Sequence, residues 1–457
     1  MRGVKISDAV FIMALLFSLL ASTLIVEKVQ AVTEVSGIIT SDTTWTKANS
    51  SYSLTDPVAI NQGVNLTIEP GVTVNLNGYY IRVNGTLIAR GDTNDEITFN
   101  DGQITFTVVS NGWNEKTQSG CTIQNAIINQ IVISTSNPIK IDSSVINGDI
   151  SVTSSSIISN SIVTGDISSL MSIISHNNVK GDITLGSVTL GGFTTAEESS
   201  TVYGNTVEGT ISSGSPKGTP EIFDNTVSEG GIVCTGYGSI HNNYVHDCEV
   251  GVGLYSTRVF GGYLACYATV ENNIVVDNDR GIRIELSSLN APGTQTPTVQ
   301  YNTIARNLIG ISLYESNYGT TPTIRYNNLE NNFDYNFHLS ASNSPDVSYN
   351  WWGTTDESAI SQSIYDAKND FNLGTVIFQP ILTSPNSNAP APTSTLTPTP
   401  HQTPTTLPTP TPEQNPTSTP SQEPQQTEQL EIIIGAAIVA VVLGAGLGML
   451  IYFVKRK

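Results

Sequence analysis

Charge is scarce in this 457-residue sequence. Asp, Glu, Lys and Arg supply 13% of it, about half the ~25% usual in soluble domains. Long soluble helices carry Glu, Lys, Arg, Ala and Leu on their faces, so the shortage argues against a helical protein. Basic residues are the scarcer kind: 19 Lys and Arg stand against 39 Asp and Glu, for a net charge of −20. Such a chain repels phosphate backbones, which argues against a nucleic-acid partner. The charge density is nevertheless below what marks a disordered chain. Only four cysteines occur, with no Cys-x-x-Cys and no His or Met cluster beside them, so nothing points to structural zinc or copper. Ser, Thr, Gly and 40 Asn take the place of the missing charge.

The two ends differ from the middle. Residues 1–31 have a basic start at Arg2 and Lys5, an apolar run from Ala9 to Ala21 and a small residue at Ala31. They read as a secretory signal cleaved after Ala31, with an uncleaved signal anchor as the alternative. Residues 432–454 are 23 uncharged residues followed by Lys455-Arg456-Lys457. At 1.5 Å per residue that stretch reaches ~34 Å, enough to cross a bilayer core. The basic tail, 455–457, stays cytoplasmic by the positive-inside rule and leaves the rest outside. Between them, residues 384–431 hold 12 of the 22 Pro, mixed with Thr, Ser and Gln, and read as an extended linker or stalk.

The middle repeats. Between residues 121 and 353 an aliphatic residue, two variable residues, Asn, a small or polar residue and another apolar one recur. Examples are Val202-Tyr-Gly-Asn205-Thr-Val207, Ile240-His-Asn-Asn243-Tyr-Val245 and Val299-Gln-Tyr-Asn302-Thr-Ile304. Earlier copies centre on Asn125, Asn160 and Asn177, with Ser144 standing in once. In many copies a second short β-branched stretch follows a glycine, as in Gly281-Ile-Arg-Ile284. These stretches are too short for helices, and none buries its apolar face alone, so neighbouring repeats must stack as coils of a parallel solenoid. Stacked Asn amides are then expected to hydrogen-bond from coil to coil, at corners where Asn tolerates a left-handed backbone. A second column, Asn278, Asn307 and Asn332, follows five residues later.

The solenoid needs ends. Residues 32–120 contain Asn65-Leu-Thr-Ile-Glu-Pro-Gly-Val-Thr-Val74 and Ile81-Arg-Val-Asn-Gly-Thr-Leu-Ile-Ala89, which read as an N-terminal cap and first coils. Residues 354–383 read as a C-terminal cap: a short helical pattern starting at Thr355-Asp-Glu357 and including Ile360, Ile364 and Tyr365, closed by a strand near Thr375 to Phe378.

The run Asn302-Thr-Ile-Ala-Arg-Asn307-Leu-Ile-Gly310-Ile-Ser-Leu313 is similar to the right-handed parallel β-helix repeat shared by pectin-degrading enzymes, alginate epimerases and the periplasmic copper-maturation β-helix protein. The opening Gly63-Val-Asn-Leu-Thr-Ile-Glu-Pro-Gly-Val-Thr-Val74 with the closing Asn350-Trp-Trp-Gly-Thr354 resembles, more narrowly, cell-surface β-helix proteins of archaea and bacteria, the adhesin-like ones among them. The resemblance spans about residues 35–380 and implies an all-β right-handed parallel β-helix. It leaves activity open, because one fold hosts lyases, hydrolases, epimerases and binders. The ectodomain lacks the Asp-Asp, Gly-His-Gly and Arg-x-Lys signatures of the hydrolases, and His246-Asp247 is half of the epimerase motif.

Aligning the late coils on their Asn places Gly253, Arg283, Ser312 and His338 in one outward column and Tyr255, Glu285, Tyr314 and Ser340 in the next. Tyrosines beside Arg, Glu and His suit a saccharide, the rings stacking and the charges holding hydroxyls or uronic carboxylates. Asp247, Asp277 and Asp279, with Arg280, are expected along the adjoining turn as a cluster open either to acid chemistry or to calcium. Asp149, Asp166 and Asp182, each after a Gly, form another column open either to calcium or to turn chemistry. Calcium is the only cofactor these residues suggest. Cys248 with Cys266 would staple the insertion 256–268, and Cys234 with Cys248 is the rival pairing. Asn49, Asn65 and Asn84 sit in glycosylation acceptors.

The expectation is a single-pass protein of the cell membrane that displays one β-helix outward, structural or adhesin-like, with carbohydrate as its ligand. The alternative is a membrane-tethered polysaccharide lyase, epimerase or glycoside hydrolase.

Overall fold

The computed structural model describes residues 32–391 apart from 154, 187–198, 215–217, 260–261, 287–295 and 316–321. The expected signal, the span 432–454, the tail 455–457 and the linker beyond residue 391 lie outside the described residues. Among those described, no helix is long and apolar enough to cross a membrane.

Each coil carries three short strands. The first strands of successive coils stack into a 13-stranded parallel sheet, from Thr43–Trp45 to Thr323–Arg325. The second and third strands form a 25-stranded parallel sheet that bends around a corner, giving the second and third faces. At ~4.8 Å per coil the first face is about 60 Å long. An antiparallel hairpin, Thr257–Val259 with Gly262–Leu264, interrupts this pattern inside the 256–268 insertion.

The repeat forms strands because each first-face strand has one inward aliphatic between two outward residues. Ile123, Ile141, Ile158, Ile174, Val202, Ile222 and Ile240 stack coil on coil with no exposure. Burial of each such side chain stabilises the solenoid by ~1.5–3 kcal/mol. A single continuous core results, running from Trp45 to Val376.

Asparagines close the corner between the first and second faces. From Asn177 to Asn350 the ladder residues are nearly or wholly buried, and Asn243 is typical. Its backbone N–H and its Nδ2 both donate to Asn273 Oδ1 in the next coil, each at 2.9 Å. The same Nδ2 reaches the Ile222 carbonyl in the previous coil at 2.9 Å. Each amide thereby satisfies polar atoms in three coils, as a buried polar group must.

The structure shifts two expected members of this ladder by one residue. Ala126, Ser144 and Ser161 occupy the position: Ala126 N–H donates to Ser144 Oγ and Ser144 N–H to Ser161 Oγ, both at 3.2 Å, and Ser161 N–H to Asn177 Oδ1 at 2.9 Å. Asn125 and Asn160 instead precede it, at φ +46° and +52°, in a left-handed column continued by Asn242, Asn272, Tyr301, Tyr326 and Tyr349. The left-handed residue is therefore the one before the ladder, not the ladder Asn itself. Asn suits both roles, and the adjacent Ile157 and Ile158 leave the alignment ambiguous by one.

The second ladder is present as expected. Asn278 N–H donates to Asn307 Oδ1 and Asn307 N–H to Asn332 Oδ1, each at 3.0 Å. It extends upward to Cys248, whose N–H donates to Asn278 Oδ1 at 3.0 Å.

The C-terminal end is closed by the helix Glu357–Gln362, whose Asp356 side chain accepts from Ser358 N–H at 2.9 Å as N-cap. Ile360 and Ile364 plug the last coil, and Trp352 packs edge-on against Phe378, 6.2 Å between centroids. The strand expected at 375–378 reduces to one bridge, Asp346 to Ile377. Buried Asp366 holds this segment instead, accepting from Val376 N–H at 3.0 Å and Lys368 Nζ at 2.8 Å. Residues 384–391, expected as linker, pack back on the outside of the last coils. Asn386 N–H donates to Asn328 Oδ1 at 2.8 Å, and the Pro390 carbonyl accepts from Thr303.

Candidate functional site

The third face brings the expected columns together. Gly253, Arg283, Ser312 and His338 are register partners on successive coils, as are Tyr255, Glu285 and Tyr314. Val252, Ile282, Ile311 and Phe337 point inward with no exposure, so the intervening side chains project out. The Arg283 guanidinium lies 4.8 Å from the Tyr314 ring centre and 6.0 Å from that of Tyr255, and its Nη2 donates to Glu285 at 2.8 Å. Tyr255 folds back across Gly253, where any Cβ would run into the ring.

Several polar atoms here have no partner. Among the described residues seven buried side-chain N or O atoms are unpaired, and four of them, on Ser256, Arg280, Arg283 and Ser312, belong to this part of the third face. Such atoms are costly when left dry. Burial pulls the Arg283 pKa down, but its hydrogen bond to Glu285 and its two tyrosine neighbours leave it above the ordinary arginine value. Burial also raises the Tyr255 pKa. The cluster is thus a guanidinium held between two tyrosine rings and bonded to Glu285.

His338 shares the column but lies two coils from Arg283, about 10 Å away. It stacks on Tyr365 of the cap with centroids 4.5 Å apart, and Tyr335 meets Tyr365 edge-on. Burial lowers its pKa. His338 therefore belongs to the capping stack rather than to the Arg283 cluster. The repeat pattern does not single out Tyr335 or Tyr365 as its partners, although the inward Ile360 and Ile364 mark where Tyr365 falls.

Asp247 and Asp277 meet on successive coils, where Asp247 N–H donates to the Asp277 carbonyl at 3.1 Å, but their carboxylates turn to different partners. Asp277 is held by Arg306 through two bonds of 2.9 and 2.7 Å, and Asp247 by His246 at 2.6 Å, while Asp279 is exposed at the next corner. Asp149, Asp166 and Asp182 do form a column, and it is a ladder of backbone bonds. Asp149 accepts from Asp166 N–H at 3.0 Å, Asp166 from Asp182 N–H at 2.9 Å, and Asp182 from Thr210 N–H at 2.7 Å. Turn chemistry accounts for the Gly-Asp repeats. Among the described residues no group of three or more His, Cys, Asp and Glu is arranged to hold a metal ion.

Of the three acceptor asparagines, Asn49 is exposed. Asn65 Nδ2 is engaged with Asp42 at 3.2 Å, and Asn84 is half-buried with its Oδ1 accepting from Thr107 at 3.0 Å.

Residues 217–351, which contain this cluster, match the family described as the right-handed beta helix region. This stretch is a right-handed β-helix. The parallel coils continue beyond it on both sides, from Thr33–Ile39 to Ile364–Tyr365. No curated protein matches the chain.

The structure places Cys234 beside Cys266, which is neither of the expected neighbours. All four are free and buried. Cys234 points into the core from the third face, and the chain returning from the 256–268 insertion brings Cys266 against it, with Cys266 Sγ 3.8 Å from the Cys234 carbonyl oxygen. The neighbouring Cys266, together with burial, raises the Cys234 pKa well above the ordinary thiol value. Cys248 lies apart at the second corner, its Sγ 3.1 Å from the His246 carbonyl, and burial pushes its pKa up to about 12. The neighbours are therefore Cys234 and Cys266, because the insertion rejoins the coil on the side facing Cys234.

Proposed function

We propose that this protein is an exported, membrane-anchored β-helix that binds acidic saccharides at the cell surface through the third-face cluster of Tyr255, Arg283, Glu285 and Tyr314. The observation that carries the reading is the coincidence of the Arg283 guanidinium, held between two tyrosines, with four of the seven unpaired buried polar atoms. A uronic carboxylate can reach the part of the Arg283 guanidinium that stays open to solvent, with its ring face on Tyr314. Export and anchoring rest on the apolar run near the start and the uncharged stretch 432–454 with its basic tail.

Binding is favoured over turnover. A lyase or epimerase needs a base near neutral pH, and Arg283 is held more firmly charged than an ordinary arginine. The test combines affinity electrophoresis on polygalacturonate and alginate with a product assay on the same polymers. Retardation by the polymers, lost in Arg283→Ala and in Tyr314→Ala without product in the wild type, is the expected result. Depolymerisation or epimerisation abolished by Arg283→Ala would establish the enzyme reading instead, and absence of retardation by either polymer would end the saccharide reading of this cluster.

A further inference from the structure

Past the C-terminal cap the chain turns back along the outside of the second face and meets a new coil at every fourth residue. Leu382 N–H donates to the Asn350 carbonyl at 3.0 Å, Asn386 meets Asn328, and the Pro390 carbonyl accepts from Thr303. Thr303 and Asn328 are register partners, and Asn328 bridges to Trp351, so the three contacts step over three consecutive coils away from the cap. Asn386 is the main fastening. Its N–H donates to Asn328 Oδ1 at 2.8 Å, its carbonyl accepts from Asn328 Nδ2 at 3.3 Å, and its Nδ2 donates to the Tyr326 carbonyl at 2.6 Å.

This strap is slack and held at points. Asn386 closes a turn within it, accepting from Asn388 N–H at 3.0 Å through Oδ1 and from Ala389 N–H at 3.2 Å through its carbonyl. Residues 383–391 reach about 30 Å when extended, yet they advance by only two coil steps, ~10 Å. Ala389 is buried, but Asn386 and Pro390 are half-buried and Ser387 and Asn388 exposed. A groove of about 840 Å³ opens between residues 385–391 and Asn242, Asn272 and Ile274. The cap is fastened differently, with Trp352, Ile360 and Ile364 buried in the continuous core.

We propose that residues 383–391 are a tension-release strap, which peels from the second face before the cap opens and reseats when the pull ends. The chain runs on from Ala391 through the Pro- and Thr-rich stretch to the uncharged residues 432–454, so a pull from that side loads Pro390 first, then Asn386, and only afterwards Leu382 and the cap. Water replaces the strap's hydrogen bonds as they part, whereas opening the cap exposes apolar core. Release lengthens the tether by about 20 Å, the difference between the extended strap and the two coils it covers. The inference rests on the anchoring half of the proposed function, which supplies the pull, and not on its saccharide half.

The test stretches the purified full chain, in detergent, with optical tweezers. One handle is Ser151→Cys at an exposed position of the third face, and the other is a tag after Lys457. A reversible first step of about 20 Å is expected, followed at higher force by the long step of cap opening, about 100 Å for residues 354–382. Asn386→Ala should abolish the short step and leave the force of the long one unchanged. Thr303→Val, which keeps the shape of its buried site, should shift the short step to lower force. The inference is overturned if the wild-type chain opens first by the long step, if the short step survives Asn386→Ala, or if the strap fails to reseat on relaxation. Membrane fractionation of expressing cells reads the anchor separately. A chain absent from the membrane fraction overturns the anchor and the strap's role together, whereas a missing short step overturns the strap alone.

Discussion

Replacing Asn273 by Ala removes the amide at the centre of the longer ladder. Its Oδ1 accepts both the backbone N–H and the Nδ2 of Asn243, and its Nδ2 donates to the Ile240 carbonyl and to Asn302 Oδ1, all at 2.9 Å and all buried. The Asn243 N–H then faces a dry corner with no acceptor, which costs about 1–3 kcal/mol. Four further bonds, the one from Asn273 Nδ2 to the Glu271 carbonyl at 2.9 Å included, are lost with it, at about 0.5–1.5 kcal/mol each before the neighbours relax. The expected destabilisation is about 3–5 kcal/mol. Its neighbour Asn272 provides the control: it holds φ +56° and belongs to the left-handed column, so Asn272→Gly should change stability by no more than ~1 kcal/mol. Urea unfolding of the purified protein, followed by circular dichroism, measures both. Because each coil touches only its neighbours, the Ala variant is also expected to split the transition in two by uncoupling the coils on either side. A loss under ~1 kcal/mol for Asn273→Ala, or an equal loss for Asn272→Gly, would refute the claim that the ladder rather than the corner residue carries the stability.

Further expectations concern the site, the thiols and the cap. Gly253→Ala displaces the Tyr255 ring that lies across it, so acidic-saccharide binding should fall about as far as in Tyr255→Ala while the melting temperature barely moves; retained binding would refute the placement of that ring. Under oxidising conditions, peptide mapping by mass spectrometry should find Cys234 joined to Cys266, with Cys248 unpaired; a link through Cys248 would contradict the geometry. In acid the C-terminal cap should loosen in two stages. His338 has a lowered pKa, so below about pH 6.5 the unfolded chain takes up its proton first and stability falls. Burial pushes the Asp366 carboxyl up, but bonds from Lys368 and the Val376 N–H hold it below its ordinary value. Its contribution is complete above about pH 4 and is lost as pH falls through the lowered value. His338→Phe should abolish the first stage only, as read by hydrogen exchange across 357–378.

Much of the third-face cluster is legible in the sequence. In three late coils the same spacing of 8 residues separates the ladder Asn from the following Gly, so aligning Asn243, Asn273 and Asn302 also aligns Gly253, Arg283 and Ser312. Alternation then separates Val252 and Ile282 from the outward side chains. Where the spacing has no unique anchor the alignment slips by one, as at Asn125 and Asn160. The ring contact between Tyr237 and Tyr267 leaves no such trace, for another reason. The two tyrosines lie in turns of unequal length, 30 residues apart in the chain, and no periodic pattern links them.

Local composition by itself determined the coil. An inward aliphatic every other residue, interrupted by Asn and Gly at corners, cannot bury its apolar side except by stacking on copies of itself, and that necessity is readable one repeat at a time. Tertiary structure alone decided what the insertions do. Where the chain returns after residues 256–268 sets which thiol faces Cys234 and which ring stands beside Tyr237. The partners of Asp149, Asp166 and Asp182 were likewise backbone amides supplied by the next coil. Those outcomes depend on contacts between segments of different length, and only the packed coils determine which residues meet.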